Sequence, residues 1–214
     1  MSPARPDGAP LPGSGELPGQ VRAAPQGAAG GAAPRPFSVY LHVPYCRVRC
    51  GYCDFNTYTN LAMGRGASAS DYTSALAGEL RLARAAMDRS GLPDRAARTV
   101  FLGGGTPTML PAGDLARMVA LVRETWGLAA GAEVTTEANP ESVDERYLAT
   151  LAEAGFTRVS FGMQSAVPRV LRVLDRAHRP ERVPRVVRWT RRVGLATSLD
   201  LIYGAPGESA EDWQ

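Results

Sequence analysis

Residues 37–53 read FSVYLHVPYCRVRCGYC, and this stretch is the most informative part of the chain. Its first half, Phe37–Val43, is rich in β-branched and aromatic residues and predicts a β-strand. Pro44 ends that strand. The three cysteines of the chain follow on one turn-prone loop of eight residues: Cys46, Cys50 and Cys53.

The clustered thiols allow three interpretations. They are structural free cysteines, ligands of a zinc ion, or ligands of an iron–sulfur cluster. Zinc needs a fourth ligand, for which His42 is the nearby candidate, and zinc motifs usually come as separated pairs. Iron–sulfur clusters commonly take four cysteines, so three would leave one iron open to bind something else. Arg47 and Arg49 would stabilise thiolate charge.

Outward from this stretch, strands alternate with helices. Four more strands are predicted from Val, Ile, Phe and Tyr content between Gly or Pro residues. They are Thr99–Leu102, Glu133–Glu137, Arg158–Phe161 and Thr197–Tyr203. This order predicts an α/β fold with a parallel sheet or barrel, of which five strands are present. A closed eight-stranded barrel is excluded at this length, and the exposed sheet edge predicts that the chain is a fragment.

The intervening segments show helical periodicity. Asp71–Met87 and Asp114–Trp126 each place apolar residues on one face. Ser142 and Glu145 form a capping-box pattern that predicts a helix start, with Gly155 at the helix end. A further helical region covers residues 167–193 and is expected to break near Pro180 and Pro184.

Composition separates a leader from this core. Residues 1–36 hold eight of the 17 prolines and seven of the 23 glycines, with almost nothing to bury, and predict a disordered leader before a core of residues 37–214. Three cysteines are too few for a disulfide scaffold. No apolar run is long enough for a transmembrane segment. We therefore expect a cytoplasmic protein.

The net charge of +3 is small for 214 residues and does not indicate a nucleic-acid partner. Nine arginines lie between Arg169 and Arg192 and recur every three or four residues, which is typical of solvated helix faces. An alternative is a docking surface for an anionic ligand or an acidic partner. His178, in the same region, is expected to be structural.

Polar and glycine-rich motifs follow each predicted strand, where a barrel-like α/β enzyme places its chemistry. The second strand ends in Gly103-Gly104-Gly105-Thr106, where backbone can approach a ligand closely. Glu137 ends the third strand, and such a carboxylate can accept both hydroxyls of a ribose. Gln164 ends the fourth strand. Asp200 lies in an apolar run of the fifth strand, where a carboxylate needs a partner or ligand.

Together, the YxHxPxCx3Cx2C motif of Tyr40–Cys53 and the strand-end motifs resemble the radical S-adenosylmethionine proteins. Within them the chain is similar to the branch of oxygen-independent coproporphyrinogen III oxidases and heme chaperones. The resemblance runs from about Phe37 to Gly207. It implies an incomplete parallel (β/α)6-type partial barrel with five strands present, truncated before the sixth strand and the C-terminal domain. It implies that the three cysteines hold a 4Fe–4S cluster whose open iron binds S-adenosylmethionine.

The resemblance also implies which residues contact the cofactors. The three metal ligands are Cys46, Cys50 and Cys53. The implied S-adenosylmethionine contacts are Tyr40, Gly104, Gly105, Thr106, Glu137, Gln164, Arg176 and Asp200, with Tyr52 beside the cluster. No catalytic side chain is assigned beyond the cluster, whose reduction would cleave S-adenosylmethionine to methionine and a 5′-deoxyadenosyl radical.

One detail of the motif distinguishes the branches. True oxidases typically continue as Cx3Cx2CxC, whereas here Cys53 is followed by Asp54 and Phe55. Asp-Phe resembles the chaperone branch, which implies heme binding in the full-length protein and delivery to respiratory apo-hemoproteins. Oxidative decarboxylation of coproporphyrinogen is the alternative, and a zinc-binding α/β protein is a third. An electron donor such as flavodoxin or ferredoxin is the further implied partner.

Overall fold

Five parallel strands form a single sheet in a computed structural model, which describes residues 36–213. The strands are β1 (Ser38–Val43), β2 (Ala97–Gly104), β3 (Leu128–Ala138), β4 (Arg158–Gln164) and β5 (Ala196–Leu201). Their spatial order is their sequence order, so among the described residues β1 and β5 are the two edges and the sheet is not closed. The predicted parallel, partial-barrel fold of five strands is confirmed.

Five α-helices connect the strands. They are α1 (Tyr72–Arg89), α2 (Ala112–Trp126), α3 (Glu145–Glu153), α4 (Pro168–Val173) and α5 (Arg182–Arg192). Short 3-10 turns occupy Ala69–Asp71, Pro107–Met109 and Ala210–Trp213. Each strand-to-strand connection carries at least one of the helices, as parallel pairing requires.

The main core lies between the helices and one face of the sheet. Alternate residues of β1, namely Val39, Leu41 and Val43, are buried there, as the period of two predicts. Leu115 and Met118 of α2 are fully buried in the same cluster. The opposite face of β3 to β5 is polar, so ligands can meet side chains from neighbouring strands on that side.

Two local predictions were wrong. Helix α3 starts at Glu145 with Asp144 as its N-cap, whose carboxylate Oδ1 accepts a hydrogen bond from the Tyr147 amide at 2.7 Å. The Ser142 hydroxyl instead donates to the Asn139 carbonyl at 2.8 Å, within the preceding turn. Pro184 does not break a helix. It lies in the first turn of α5, where backbone amides have no intrahelical partner to lose.

Strands β2, β3 and β4 extend beyond their predicted bounds, most of all β3, which begins at Leu128 rather than Glu133. Strand β5 ends at Leu201 rather than at Tyr203. Its first residues are pinned by the pairing of Leu128 with Ala97, across an irregularity in the ladder between β2 and β3. The predicted leader lies outside the described residues, apart from Pro36. Within the described part of the chain, no helix combines the length and apolar character that crossing a membrane requires.

Candidate functional site

A cavity of about 1100 Å³ lies at the carboxyl edge of the sheet. The turns after the strands and the cysteine loop, residues 46–53, line it together. Eleven of the twelve site residues proposed from the sequence are among the lining residues. They are Cys46, Cys50, Tyr52, Cys53, Gly104, Gly105, Thr106, Glu137, Gln164, Arg176 and Asp200. Residues far apart in the chain thus meet in one place, because parallel strands present their carboxyl ends on the same side.

The base of the cysteine loop is fixed by backbone pairing. The Cys46 amide donates to the Tyr58 carbonyl at 2.9 Å, and the Tyr58 amide donates to the Pro44 carbonyl at 2.7 Å. The buried Tyr45 side chain donates from its hydroxyl to the Ala67 carbonyl at 2.9 Å. The two ends of the loop are therefore tied to each other and to the segment before α1.

The triple-glycine turn packs against this base. The Gly105 amide donates to the Val43 carbonyl at 2.8 Å, and the Thr106 amide donates to the Tyr45 carbonyl at 2.7 Å. A Cβ at position 105 would lie 2.7 Å from the Tyr45 carbonyl oxygen, so glycine permits this close approach. The Thr106 hydroxyl also lies 3.8 Å from the Cys46 sulfur, to which it can donate a hydrogen bond.

Arg176 connects the cysteine loop to β4. Its Nη1 donates to the Cys50 sulfur at 3.4 Å, and its Nη2 donates to the Gly162 carbonyl at 2.7 Å. The same connection is reinforced by the Gly51 amide, which donates to the Leu174 carbonyl at 3.3 Å. The guanidinium therefore fixes the position of the Cys50 sulfur relative to β4.

The three thiols are free and differ in burial. Cys46 is buried, whereas Cys50 and Cys53 are partly exposed towards the cavity. Burial raises the pKa of the Cys46 thiol, and the Thr106 hydroxyl partly offsets this. Burial likewise raises the pKa of the neighbouring Tyr52 phenol to about 12, so it stays protonated at neutral pH.

Glu137 places a half-buried carboxylate on the opposite wall. Its Oε2 accepts a hydrogen bond from the Gly104 amide at 3.0 Å. Burial raises the pKa of this carboxyl, and the nearby charge of Asp200 raises it further. The Gly104 contact and His42 act in the opposite direction.

Gln164 occupies a bulge between β4 and β5. Its backbone has a φ of 62°, which is uncommon for a residue other than glycine, and the register shifts between Gly162 and Gln164. The Gln164 carbonyl accepts from the Ile202 amide at 3.0 Å, which fixes the bulge. Such bulges re-aim side chains near functional sites, and the sequence carried no signal for this one.

Asp200 has the partner that the sequence predicted, although it is exposed rather than buried. The Ser160 hydroxyl donates to Asp200 Oδ1 at 2.9 Å, and the Ser198 hydroxyl donates to Ser160 Oγ at 2.8 Å. Its apolar neighbours Leu199 and Leu201 in the edge strand are also exposed, at 40% and 53%.

Tyr40 is the one proposed contact that does not line the cavity among the described residues. Its ring stacks on Phe101 with centroids 6.1 Å apart, and its hydroxyl lies 2.9 Å from His42 Nδ1. His42 Nε2 lies 2.9 Å from the Asn56 carbonyl oxygen. Both ring nitrogens of His42, considered above as a zinc ligand, are thus engaged with protein groups.

Other lining residues were not predicted from the sequence. They come from the turns after β2 and β3 and from the segment between α4 and α5, and include Thr108, Asn139, Glu141, Ser142 and His178. Only the Asn-Pro turn after Glu137 marked part of this set in the sequence. The rest is brought in by docking of the segment between α4 and α5 onto the β3 turn, where the Arg179 amide donates to Glu141 Oε1 at 3.2 Å.

The donor set fits an iron–sulfur cluster. Three cysteines from one loop face a single cavity, and a cation and a hydroxyl each contact a sulfur. Within residues 36–213, no three His, Cys, Asp or Glu side chains converge to hold one metal ion. The cysteine ligands of a 4Fe–4S cluster bind different irons and need not converge in that way.

The family to which the chain belongs is consistent with an iron–sulfur site at the cysteine loop. The profile of the Radical SAM superfamily matches residues 40–214, and the chain therefore belongs to that superfamily. The family implies a 4Fe–4S cluster and S-adenosylmethionine as cofactors. Its match covers the cysteine loop, β1 from Tyr40 onward and the whole of β2 to β5.

Individual relatives come from both expected branches. The chain is 47% identical over 203 residues to the heme chaperone HemW of Mycobacterium tuberculosis H37Rv, covering 94% of this chain and 47% of that protein. It is 34% identical over 192 residues to the oxygen-independent coproporphyrinogen III oxidase of Paracoccus denitrificans, covering 87% and 38%. The chain thus spans about half the length, or less, of these relatives.

A solved structure shares the fold. Coproporphyrinogen III oxidase (HemN) from Escherichia coli, described as a radical SAM enzyme, superposes with a TM-score of 0.73 at 30% sequence identity. The match covers 84% of this chain and 40% of that one.

Proposed function

We propose that this chain is the cofactor-binding part of a HemW-like heme chaperone, with Cys46, Cys50 and Cys53 as ligands of a 4Fe–4S cluster. The observation that carries the proposal is the shared cavity, in which the three cysteines face Glu137, Gln164 and other strand-end groups. When bound, the cluster supplies the electron for reductive cleavage of S-adenosylmethionine.

The roles of the protein residues follow from their chemistry. Arg176 and Thr106 orient the cysteine sulfurs, and the exposed backbone of Gly104 and Gly105 admits a ligand close to the loop. Glu137 and Asp200 present carboxylate oxygens that can accept hydrogen bonds from ribose hydroxyls. The side-chain amide of Gln164 can both donate and accept hydrogen bonds. Tyr40 acts from outside the cavity wall, by holding His42 at the end of β1.

The chaperone branch is supported by identity and by the loop. The identity to HemW of M. tuberculosis exceeds that to the P. denitrificans oxidase, 47% against 34%. Phe55 stands at the position where the oxidase pattern has a fourth cysteine, and it lines the cavity with its side chain largely exposed. We propose heme binding, delivery to apo-hemoproteins, a flavodoxin- or ferredoxin-type electron donor and a cytoplasmic location as parts of the same function. We further propose that residues 1–36 form a leader and residues 37–214 the core domain.

Anaerobic reconstitution tests the cofactor assignment. We expect about four irons and four sulfides per chain, as a 4Fe–4S cluster requires, and S-adenosylmethionine binding that depends on the cluster. Stoichiometric zinc without iron would contradict the assignment and favour the zinc-binding alternative.

A second measurement separates the two branches. Heme binding and coproporphyrinogen decarboxylation are measured on this chain and on the longest natural form of the protein, with the same reductant. A chaperone binds heme and shows no turnover of coproporphyrinogen. Sustained decarboxylation would replace the chaperone proposal with the oxidase.

A further inference from the structure

Helix α5 holds the basic charge of the chain. Its eleven residues, Arg182–Arg192, include five arginines and no acidic residue. The whole chain has a formal net charge of +3, so the +5 of α5 leaves −2 for all other residues together. The excess of positive charge is therefore concentrated on one helix, which packs against α3, β4 and β5.

Two of these arginines bind groups within the protein. The Arg182 Nη2 donates to the Val143 carbonyl at 2.8 Å, and its guanidinium carbon lies 4.8 Å from the centre of the Trp189 ring. The Arg192 Nε donates to Glu145 Oε1 at 2.8 Å. These contacts attach both ends of α5 to α3 and to the segment before it.

The other three arginines of α5 have no such role. Arg185, Arg188 and Arg191 are exposed, and in the described part of the chain their side chains make no hydrogen bond or ion pair. Residues three apart are neighbours on a helix surface, and like charges at that spacing repel one another. We call these three residues the α5 arginine row. Nothing within the described protein offsets their mutual repulsion.

The α5 arginine row fits carboxylates of a protein better than lipid headgroups or nucleic acid. Helices that lie on membranes combine cations with large apolar side chains, and none of the described side chains of α5 is a large exposed apolar one. Nucleic-acid binding commonly draws on many phosphate contacts, whereas the chain outside α5 is net negative. A guanidinium can bind a carboxylate through two parallel hydrogen bonds.

We propose that the α5 arginine row docks an acidic helix of a partner protein. Glutamates three and four residues apart on such a helix have about the same spacing as the row, so each guanidinium can meet one carboxylate. Among the described residues that line the cavity, none belongs to α5. The surface is thus separate from the cofactor site, and the proposal goes beyond the proposed function without depending on it.

The probe is a labelled synthetic helical peptide with glutamates along one face. A second peptide has the same composition, with its glutamates distributed around the helix. One variant of the chain combines Arg185→Gln, Arg188→Gln and Arg191→Gln. Glutamine is a good helix former, so α5 should be retained. Melting temperatures check this, and the single variant Arg188→Gln replaces the triple variant if the latter does not fold.

The matched control variant loses the same charge elsewhere. It combines Arg81→Gln, Arg89→Gln and Arg98→Gln, at three arginines of α1 and β2 that are exposed and whose side chains have no hydrogen-bond partner among residues 36–213. Dissociation constants are measured at about 0.15 M salt, where charges more than ~8 Å apart are largely screened.

We expect the α5 variant to bind the one-face peptide about tenfold more weakly than the unaltered chain, the combined effect of three exposed ion pairs. The control variant should bind it as the unaltered chain does. The unaltered chain should also prefer the one-face peptide to the distributed one.

Equal weakening in the two variants would show a general effect of net charge and overturn the proposal. Equal binding of the two peptides, or no measurable binding of either to the unaltered chain, would overturn it as well. Binding by the 214-residue chain but not by the longest natural form of the protein would show that the protein's own residues cover the row. A larger loss for phosphatidylglycerol vesicles or a DNA duplex than for the peptide would assign the row to another class of partner. Either of these last two results would also refute the docking of an acidic helix.

Discussion

The two walls of the cavity are built by different means. The strand-end wall, which carries Gly104, Glu137 and Gln164, is set by the backbone register of four neighbouring strands. The cysteine loop is anchored by the backbone pairing at its base. It makes further hydrogen bonds to Thr106, Leu174 and Arg176. A continuous ladder of backbone hydrogen bonds holds the strand-end wall, whereas two side chains and one backbone contact hold the cysteine loop.

This difference predicts which mutations should affect binding of the cluster and which should affect binding of S-adenosylmethionine. Changes in the loop and its contacts are expected to alter the cluster first. Changes in the strand-end wall are expected to alter S-adenosylmethionine binding while iron is retained. Five predictions test that separation.

The largest effect is expected from Cys50→Ser. Removing one of three thiolate ligands should reduce bound iron from about four per chain to nearly none, because no other cysteine remains to replace it. Iron and sulfide analysis after anaerobic reconstitution measures this. Unchanged iron would refute the ligand assignment.

Arg176→Met should come next. It removes the donor to the Cys50 sulfur and the link to Gly162, and loss of such supporting contacts typically costs ~10–100-fold in metal affinity or activity. The rate at which a chelator extracts iron is the measurement. Arg172→Met is the matched control, since Arg172 is exposed in α4 and should not alter the rate. Equal rates for the two variants would contradict the role of Arg176.

Glu137→Gln should leave iron unchanged and weaken S-adenosylmethionine binding by about tenfold, the effect of losing one hydrogen bond to a charged group. The glutamine oxygen can still accept from the Gly104 amide, so the turn is retained. Calorimetric titration of the reconstituted protein measures the affinity. A loss of iron in this variant would erase the distinction between the two walls.

Gly105→Ala tests the contact between the walls. The added Cβ would meet the Tyr45 carbonyl at 2.7 Å and the Val43 carbonyl at 2.9 Å, both backbone atoms. We expect a loss of ~1–3 kcal/mol of stability, typical of overpacking. Thermal unfolding measures it, with Gly113→Ala in the open first turn of α2 as the control that should not destabilise. Equal melting temperatures would count against the close approach.

The smallest effect concerns pH. The pKa of Glu137 is raised in the folded state, so the folded protein holds this proton at pH values where the unfolded chain has released it. Stability therefore falls as pH rises from about 4.3, the ordinary glutamate pKa. Urea unfolding of Glu137→Gln and the unaltered chain should show a relative gain for the variant at pH 7 compared with pH 4. A constant difference would contradict the raised pKa.

Much of the site was accessible from sequence because strand ends and short motifs are local features. Each of these features can be recognised within a few residues. Examples are the run Phe37–Val43, the cysteine spacing and Gly103–Thr106. Parallel topology then brings their positions together. The exposure of Asp200 was not accessible in this way, since the sequence does not show that its strand is an edge.

Chain composition and spacing alone determined the parallel α/β architecture, the location of the thiols and the order of the strand-end groups. The tertiary structure alone decided which groups touch. It brought Arg176 to Cys50 across 126 residues, placed Gln164 in a bulge between β4 and β5, set Tyr40 against Phe101 and His42 rather than in the cavity, and buried His178. The physical reason is that these contacts form when loops distant in sequence pack against one another. Such contacts produce no periodic pattern in the sequence from which they could be predicted.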